Sequence, residues 1–326
     1  MSHLMFAELG SKVITVLGNA KPGEKVLILG DTGSNQEILE AIFAAAIEAQ
    51  CEASLLIYKE RPHINYEPPS LIAEAMKEAE FLVDLSTNYF IHTKAYANAR
   101  LAGTRALVTI PQGIEEYIRR GIIGIDYEEM VRQGKRIAEL FESSRVCRIL
   151  SEEGTSIEME MGGRPAVLRD GMVVHPGEID YFPGAQVSFA PIEETLNGRI
   201  VVNGAISPPI GKLNGTVEIT FERGRIVDFK GRAEALQWKK WLEEQDDPKM
   251  FCIAHVSIGL NPNAQLRGYI IEDERVKGST IFGIGSQMPD FKGKTGIART
   301  HSDAVSVLST VMLDDRKIVG KGAIFV

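Results

Sequence analysis

Over the first 145 residues or so, short apolar runs alternate with stretches of helical spacing, and this alternation constrains the fold more than any other feature. Residues 25–29 form an apolar run closed by Gly30 and read as a buried strand. After the turn Asp31-Thr32-Gly33-Ser34-Asn35, residues 36–50 place Ile38, Leu39, Ile42, Phe43 and Ala46 on one side of a helix. Further strand signals fall at 53–58, 81–85 and 105–110, with helical ones at 70–79, 94–102 and 127–144. Strands separated by helices connect through right-handed crossovers. Residues 1–145 are therefore expected to form an α/β domain, a Rossmann-like parallel sheet covered on both faces.

From Arg145 onward the pattern changes. Short β runs at 148–150, 156–161, 186–190, 198–202, 215–221 and 225–229 are bounded by Gly, Pro or Asn. Leu196-Asn197-Gly198, Leu213-Asn214-Gly215 and Glu222-Arg223-Gly224 punctuate them as hairpin turns would. One helix interrupts near 233–245. Residues 146–326 thus read as a second, β-rich α+β domain. A chain of 326 residues also exceeds what one core usually serves.

The net charge of -8 would repel phosphate backbones, and no Lys/Arg cluster offsets it, which excludes a nucleic-acid partner. Three widely spaced cysteines without a CxxC pairing argue against a disulfide framework and fit a reducing compartment. The first nine residues carry no export-signal pattern, and the apolar run 41–47 is too short to span a membrane. A cytoplasmic protein is expected.

The Gly30-Asp31-Thr32-Gly33 turn sits where α/β proteins bind phosphates, but it lacks GxGxxG and a Walker lysine, so an ordinary tight turn is the better reading. His301-Ser302-Asp303 carries more information. In an extended segment, residues two apart project to the same face, so imidazole and carboxylate can converge on one ion. An HxD by itself also describes an ordinary exposed strand pair. His255 lies in an apolar stretch, 251–259, where a buried histidine bonded to a backbone carbonyl is the usual occupant. A metal ligand is the sharper alternative. Two histidines and one carboxylate leave open positions and match the facial triad of non-haem iron(II) oxygenases, although zinc accepts the same ligands.

The segments Ala254-His255-Val256-Ser257-Ile258-Gly259-Leu260-Asn261-Pro262-Asn263-Ala264, Ile271-Glu272-Asp273-Glu274-Arg275, Gly283-Ile284-Gly285 and Thr300-His301-Ser302-Asp303 follow one another in a familiar order. The order resembles that of the thermophilic metallo-aminopeptidases of the aminopeptidase T type, and of their relatives, the 2,5-dihydroxypyridine 5,6-dioxygenases. The departures favour the second branch. The peptidase pattern has glutamate where His255 stands, histidine where Ile281 stands, and a further glutamate near Gln186. Losing these ligands removes a second metal.

The resemblance to the dioxygenases implies a single Fe(2+) on His255, His301 and Asp303. It implies opening of a small aromatic N-heterocycle with O2 to N-formylmaleamate, and a homo-oligomer. Two residues are read as catalytic: His92, beyond the third strand, as base, and Ser302 as a hydrogen-bonding partner for substrate or oxygen. His175 and Glu178 lie in a Gly/Pro-rich loop within reach of the site and are assigned no role. A metal-dependent aminopeptidase of the same fold is the alternative.

Overall fold

The computed structural model describes residues 2–63, 65–91, 93–109, 114–120 and 124–326. The chain divides into two compact units, Met1–Gly124 with Gly171–Gly184, and Ile125–Asp170 with Ala185–Val326.

The first unit is built on parallel strands β1 (Lys25–Asp31), β2 (Glu52–Tyr58), β3 (Phe81–Asp84) and β4 (Arg105–Thr109). A strand from much later in the chain, Ile179–Phe182 (β8 in chain order), completes the sheet beside β4, giving the order β2-β1-β3-β4-β8. Helices α1 (Ser2–Lys12), α2 (Gln36–Glu48), α3 (Ser70–Glu78), α4 (Lys94–Ala102) and α5 (Ile114–Arg119) accompany it. Asn35 Oδ1 caps α2 by accepting from the Ile38 N–H, and α4 ends at Gly103 with φ +101°. Strands β3 and β4 are buried at every residue, as strands covered on both faces must be. The expected parallel α/β sheet is present.

The second unit opens with α6 (Tyr127–Ser143), followed by β5 (Val146–Leu150), β6 (Ser156–Glu160) and β7 (Ala166–Arg169). After β8 come β9 (Gln186–Phe189), β10 (Asn197–Val202), β11 (Ala205–Ser207), β12 (Gly211–Lys212), β13 (Val217–Glu222) and β14 (Arg225–Gly231). Then follow α7 (Ala233–Glu244), β15 (Ile253–Gly259), α8 (Ile270–Asp273), β16 (Thr280–Gly285), β17 (His301–Ser306), β18 (Thr310–Leu313), β19 (Arg316–Gly320) and β20 (Ala323–Ile324). They form an eight-stranded sheet, β14-β13-β10-β6-β5-β18-β19-β20, and a seven-stranded one, β12-β11-β17-β16-β15-β9-β7. Strands β6 and β13 alternate buried and open residues, so one face of the larger sheet meets a core. Strands β15 and β16 are buried throughout, so both faces of the smaller sheet are covered there.

The unit bounds differ from the expected division at 145. Helix α6 belongs with the β-rich unit, because its stripe Tyr127, Met130, Gly134, Ile137 and Phe141 is buried there. The Phe141 ring lies 4.3 Å from that of Phe189 on β9. Segment 171–184 returns to the first unit as β8 and its flanks. No helix among the described residues is long and apolar enough to cross a membrane, and Cys51, Cys147 and Cys252 are free thiols.

Candidate metal centre

Three adjacent strands of the seven-stranded sheet carry the site. His255 on β15 pairs with Gly283 on β16, and Gly283 pairs with Asp303 on β17. Paired residues of an antiparallel ladder project to the same face, so these three form one row. The outer two lie two strand spacings apart, roughly 10 Å, and their side chains must reach toward each other over the middle position. Only glycine leaves that position clear. A Cβ on Gly283 would stand 2.3 Å from His255 Nε2. One step along β17, His301 pairs with Gly285 and adds its imidazole from the same face.

The three ligand atoms converge. His255 Nε2 and His301 Nε2 are 3.2 Å apart, His301 Nε2 and Asp303 Oδ1 3.2 Å, and His255 Nε2 and Asp303 Oδ1 3.4 Å. An ion at the ~2.0–2.2 Å usual for nitrogen and carboxylate ligands can touch all three. Among the described residues this is the group of His, Cys, Asp and Glu side chains able to hold a metal ion. The rings of His255 and His301 are stacked, with centroids 5.0 Å apart. His301 Nδ1 donates to the Ser286 carbonyl at 2.7 Å, which leaves Nε2 as the nitrogen that can offer a lone pair. Phe291 closes the other side of His255, stacked at 5.4 Å. Its loop is fastened to β15, where Gln287 Nε2 donates to the Ala254 carbonyl and Thr295 Oγ1 to that of Ile253.

Charge fits a cation here. Burial pushes His255 down to about 4, the Asp303 charge opposing it only in part, so the ring is neutral as a ligand must be. Burial would lower His301 as well, but the charge and hydrogen bond of Asp303 lift it to about 9. In the absence of an ion, a proton on His301 neutralises the carboxylate. Asp303 itself is held low; burial is outweighed by His301, by His255 and by a hydrogen bond with Glu274. Burial and then the Asp303 charge push the Glu274 acid well above the usual carboxylate range, against Arg275. Arg275 Nη1 donates to Glu274 Oε2 at 2.5 Å and to Gln186 Oε1 at 2.8 Å. Glu274 thus joins the site, and sequence reasoning missed its role although the motif containing it had been singled out.

Other expected residues fall elsewhere. Ser302 was read as a partner for substrate, but the alternation that unites 301 and 303 turns it to the opposite face. There it is fully buried, its hydroxyl donating to the Pro208 carbonyl at 2.7 Å and accepting from Trp238 Nε1 at 3.0 Å. Its contacts are those of an anchor for β17. His92 lies outside the described residues. Glu178 Oε2 accepts from the Val174 and His175 N–H groups and closes a local turn. Ile281 sits on the ligand face in an apolar cluster with Ala205, Val305 and Leu266. Asp31 turns its own carboxylate onto the Gly33 N–H, so the tight turn satisfies itself.

With this geometry in hand, comparison with known proteins is specific. A family model described as 2,5-dihydroxypyridine 5,6-dioxygenase (NicX) matches residues 11–326. A 2,5-dihydroxypyridine 5,6-dioxygenase of Pseudomonas putida strain KT2440 is 24% identical over 259 residues, covering 76% of this chain and 71% of that protein. The solved structure of 2,5-dihydroxypyridine dioxygenase from the same strain matches with a TM-score of 0.82 at 21% identity, covering 100% of this chain and 98% of that one. AmpT from Thermus thermophilus matches with a TM-score of 0.72 at 14% identity, covering 99% of each chain. The fold is therefore shared with both branches, whereas the family match along nearly the whole sequence is to one of them: this chain belongs to the 2,5-dihydroxypyridine 5,6-dioxygenase family.

Proposed function

We propose that the protein is a mononuclear iron(II) dioxygenase that opens the ring of 2,5-dihydroxypyridine, or a close hydroxypyridine, with O2 to give N-formylmaleamate. The observation carrying this reading is the convergence of His255 Nε2, His301 Nε2 and Asp303 Oδ1 on one point in a member of this family. Two neutral imidazoles and one carboxylate suit iron(II) and leave open positions for small molecules. When bound, the metal supplies the redox and Lewis-acid chemistry that brings the electron-rich ring and O2 together.

The chain's own residues do the rest. His255 and His301 offer lone pairs from rings that their Nδ1 partners hold in place, and Asp303 supplies one negative charge. Phe291 and the apolar cluster of Ile281, Ala205, Val305 and Leu266 keep water from the ligand face. His92, beyond the carboxyl end of β3, is assigned the proton of the ring hydroxyl; its position in the sequence supports that role. Both oxygen atoms of O2 enter the product, so no external reductant is consumed. A cytoplasmic homo-oligomer belongs to the same reading, supported by the three free thiols for the compartment and by the family resemblance for the assembly.

The aminopeptidase alternative requires a second metal. Ile281, packed among apolar side chains, offers no ligand for one. The test is oxygen uptake by the anaerobically Fe(II)-loaded protein on addition of 2,5-dihydroxypyridine. Uptake equal to substrate loss is expected. No uptake, with release of amino acid from an aminoacyl anilide, would overturn the assignment.

A further inference from the structure

His255 and His301 are held by different chemistry at the nitrogen that faces away from the site. The Ser286 carbonyl facing His301 Nδ1 can only accept, so it fixes the proton there. His255 Nδ1 instead meets a hydroxyl, Ser257 Oγ, at 2.9 Å, and a hydroxyl either donates or accepts. What Ser257 does depends on its next neighbour. Ser188 on β9 is its register partner, and Ser257 Oγ donates to Ser188 Oγ at 2.7 Å. Both serines are buried. Ser257 has one hydrogen; when Ser188 accepts it, only lone pairs face the ring, and the imidazole then carries its proton on Nδ1 and leaves Nε2 bare.

We propose that Ser188, which touches no ligand, is a positioning residue that sets the His255 tautomer through Ser257 and so keeps Nε2 open for a metal ion. The inference rests on the metal reading given above. Without Ser188, the Ser257 hydrogen is free to swing onto Nδ1. The ring proton then moves to Nε2, 3.2 Å from His301 Nε2, where it occupies the ion's place. Outer partners of this kind are typically worth ~10–100-fold in metal affinity.

The experiment is a calorimetric titration of metal-free protein with Co(II), paired with 15N spectra of histidine-labelled metal-free samples, for wild type, Ser188→Ala, Ser188→Thr, Ser257→Ala and the double alanine variant. Ser188→Ala should weaken Co(II) binding at least ~10-fold and move the His255 proton from Nδ1 toward Nε2. Ser188→Thr should restore both, and the double variant should bind no worse than the weaker single. Wild-type affinity in Ser188→Ala, or weakened binding with the His255 proton still on Nδ1, would overturn the proposal while leaving the site intact. His301→Ala is the separate control. If it binds Co(II) as well as wild type does, the metal reading fails, and this inference with it.

Discussion

The parallel sheet of the first unit and the seven-stranded sheet of the second both bury aspartates, and the two sets differ in what faces them. Asp31 ends β1 with its oxygens accepting from the Gly33 N–H, the Thr87 N–H and the Ser34 and Thr87 hydroxyls. Asp84, fully buried at the end of β3, accepts from the N–H and hydroxyl of Ser86 and from the Tyr96 hydroxyl. Both carboxylates are met by hydrogens of their own chain. Asp303 is equally buried, but what faces its Oδ1 is the acceptor nitrogen of two histidines. A buried acid met by donors closes a structure, whereas one met by further lone pairs needs a cation or a proton. The carboxyl edge of the parallel sheet is a common place for ligands, yet Asp31 and Asp84 are satisfied there from within, whereas the unsatisfied acid lies on the sheet of the other unit.

The contrast can be broken most severely at Asp303. Asp303→Ala should reduce metal content below ~0.1 ion per chain and oxygen uptake by more than ~100-fold, beyond the range of an outer partner. Metal analysis and an oxygen electrode measure both, and a variant that keeps its ion would erase the distinction. Gly283→Ala comes next, with its methyl directed at His255 Nε2. We expect metal binding to weaken ~10–100-fold, the scale of a displaced ligand partner, while the circular dichroism spectrum is retained.

The proton that stands in for the ion gives a third test. The His301 pKa is raised to about 9, above its unfolded value near 6.5. In metal-free protein, its stabilising contribution is therefore full below ~6.5 and is lost as pH rises through 9. The same proton competes with the ion, so apparent affinity should climb about tenfold per pH unit at neutral pH and level off above 9. Co(II) titrations between pH 6 and pH 9 would show that slope, and a flat profile would sever His301 from the metal. The smallest effect at the metal is expected from Asp84→Ala. Stranding the Ser86 and Tyr96 donors should cost about 1–3 kcal/mol each in urea unfolding, with Co(II) affinity unchanged.

Much of this was legible in the sequence, and the limits have physical reasons. The four strands and four helices expected in the first 145 residues follow from local spacing, and their bounds agree within a few residues, whereas α1 and α5 were not anticipated. The return of 179–182 to the parallel sheet does not, because its partner β4 lies some seventy residues earlier and no local pattern records the pairing. His301 and Asp303 were readable as a pair from the two-residue period of a strand. That period also sends Ser302 to the opposite face, where it meets the Pro208 carbonyl and Trp238 Nε1. His255 was visible as an oddity in an apolar run. Gly283 and Ser188 reach the site's neighbourhood through cross-strand register and Glu274 through a folded loop, and each one looks ordinary when read in line.

The row His255, Gly283, Asp303 also bears on how such a chain can diverge. A one-residue slip of β16 or β17 would replace the glycine by a bulky neighbour or turn Asp303 into the opposite face, since each side chain changes face with a shift of one. Insertions and deletions are therefore tolerable in the connections 260–279 and 286–300 only where they leave the register of the strands untouched. Within the strands, divergence is confined to substitution. The gap pattern of any related sequence thus becomes a test of whether it kept this chemistry, readable before a single ligand is compared.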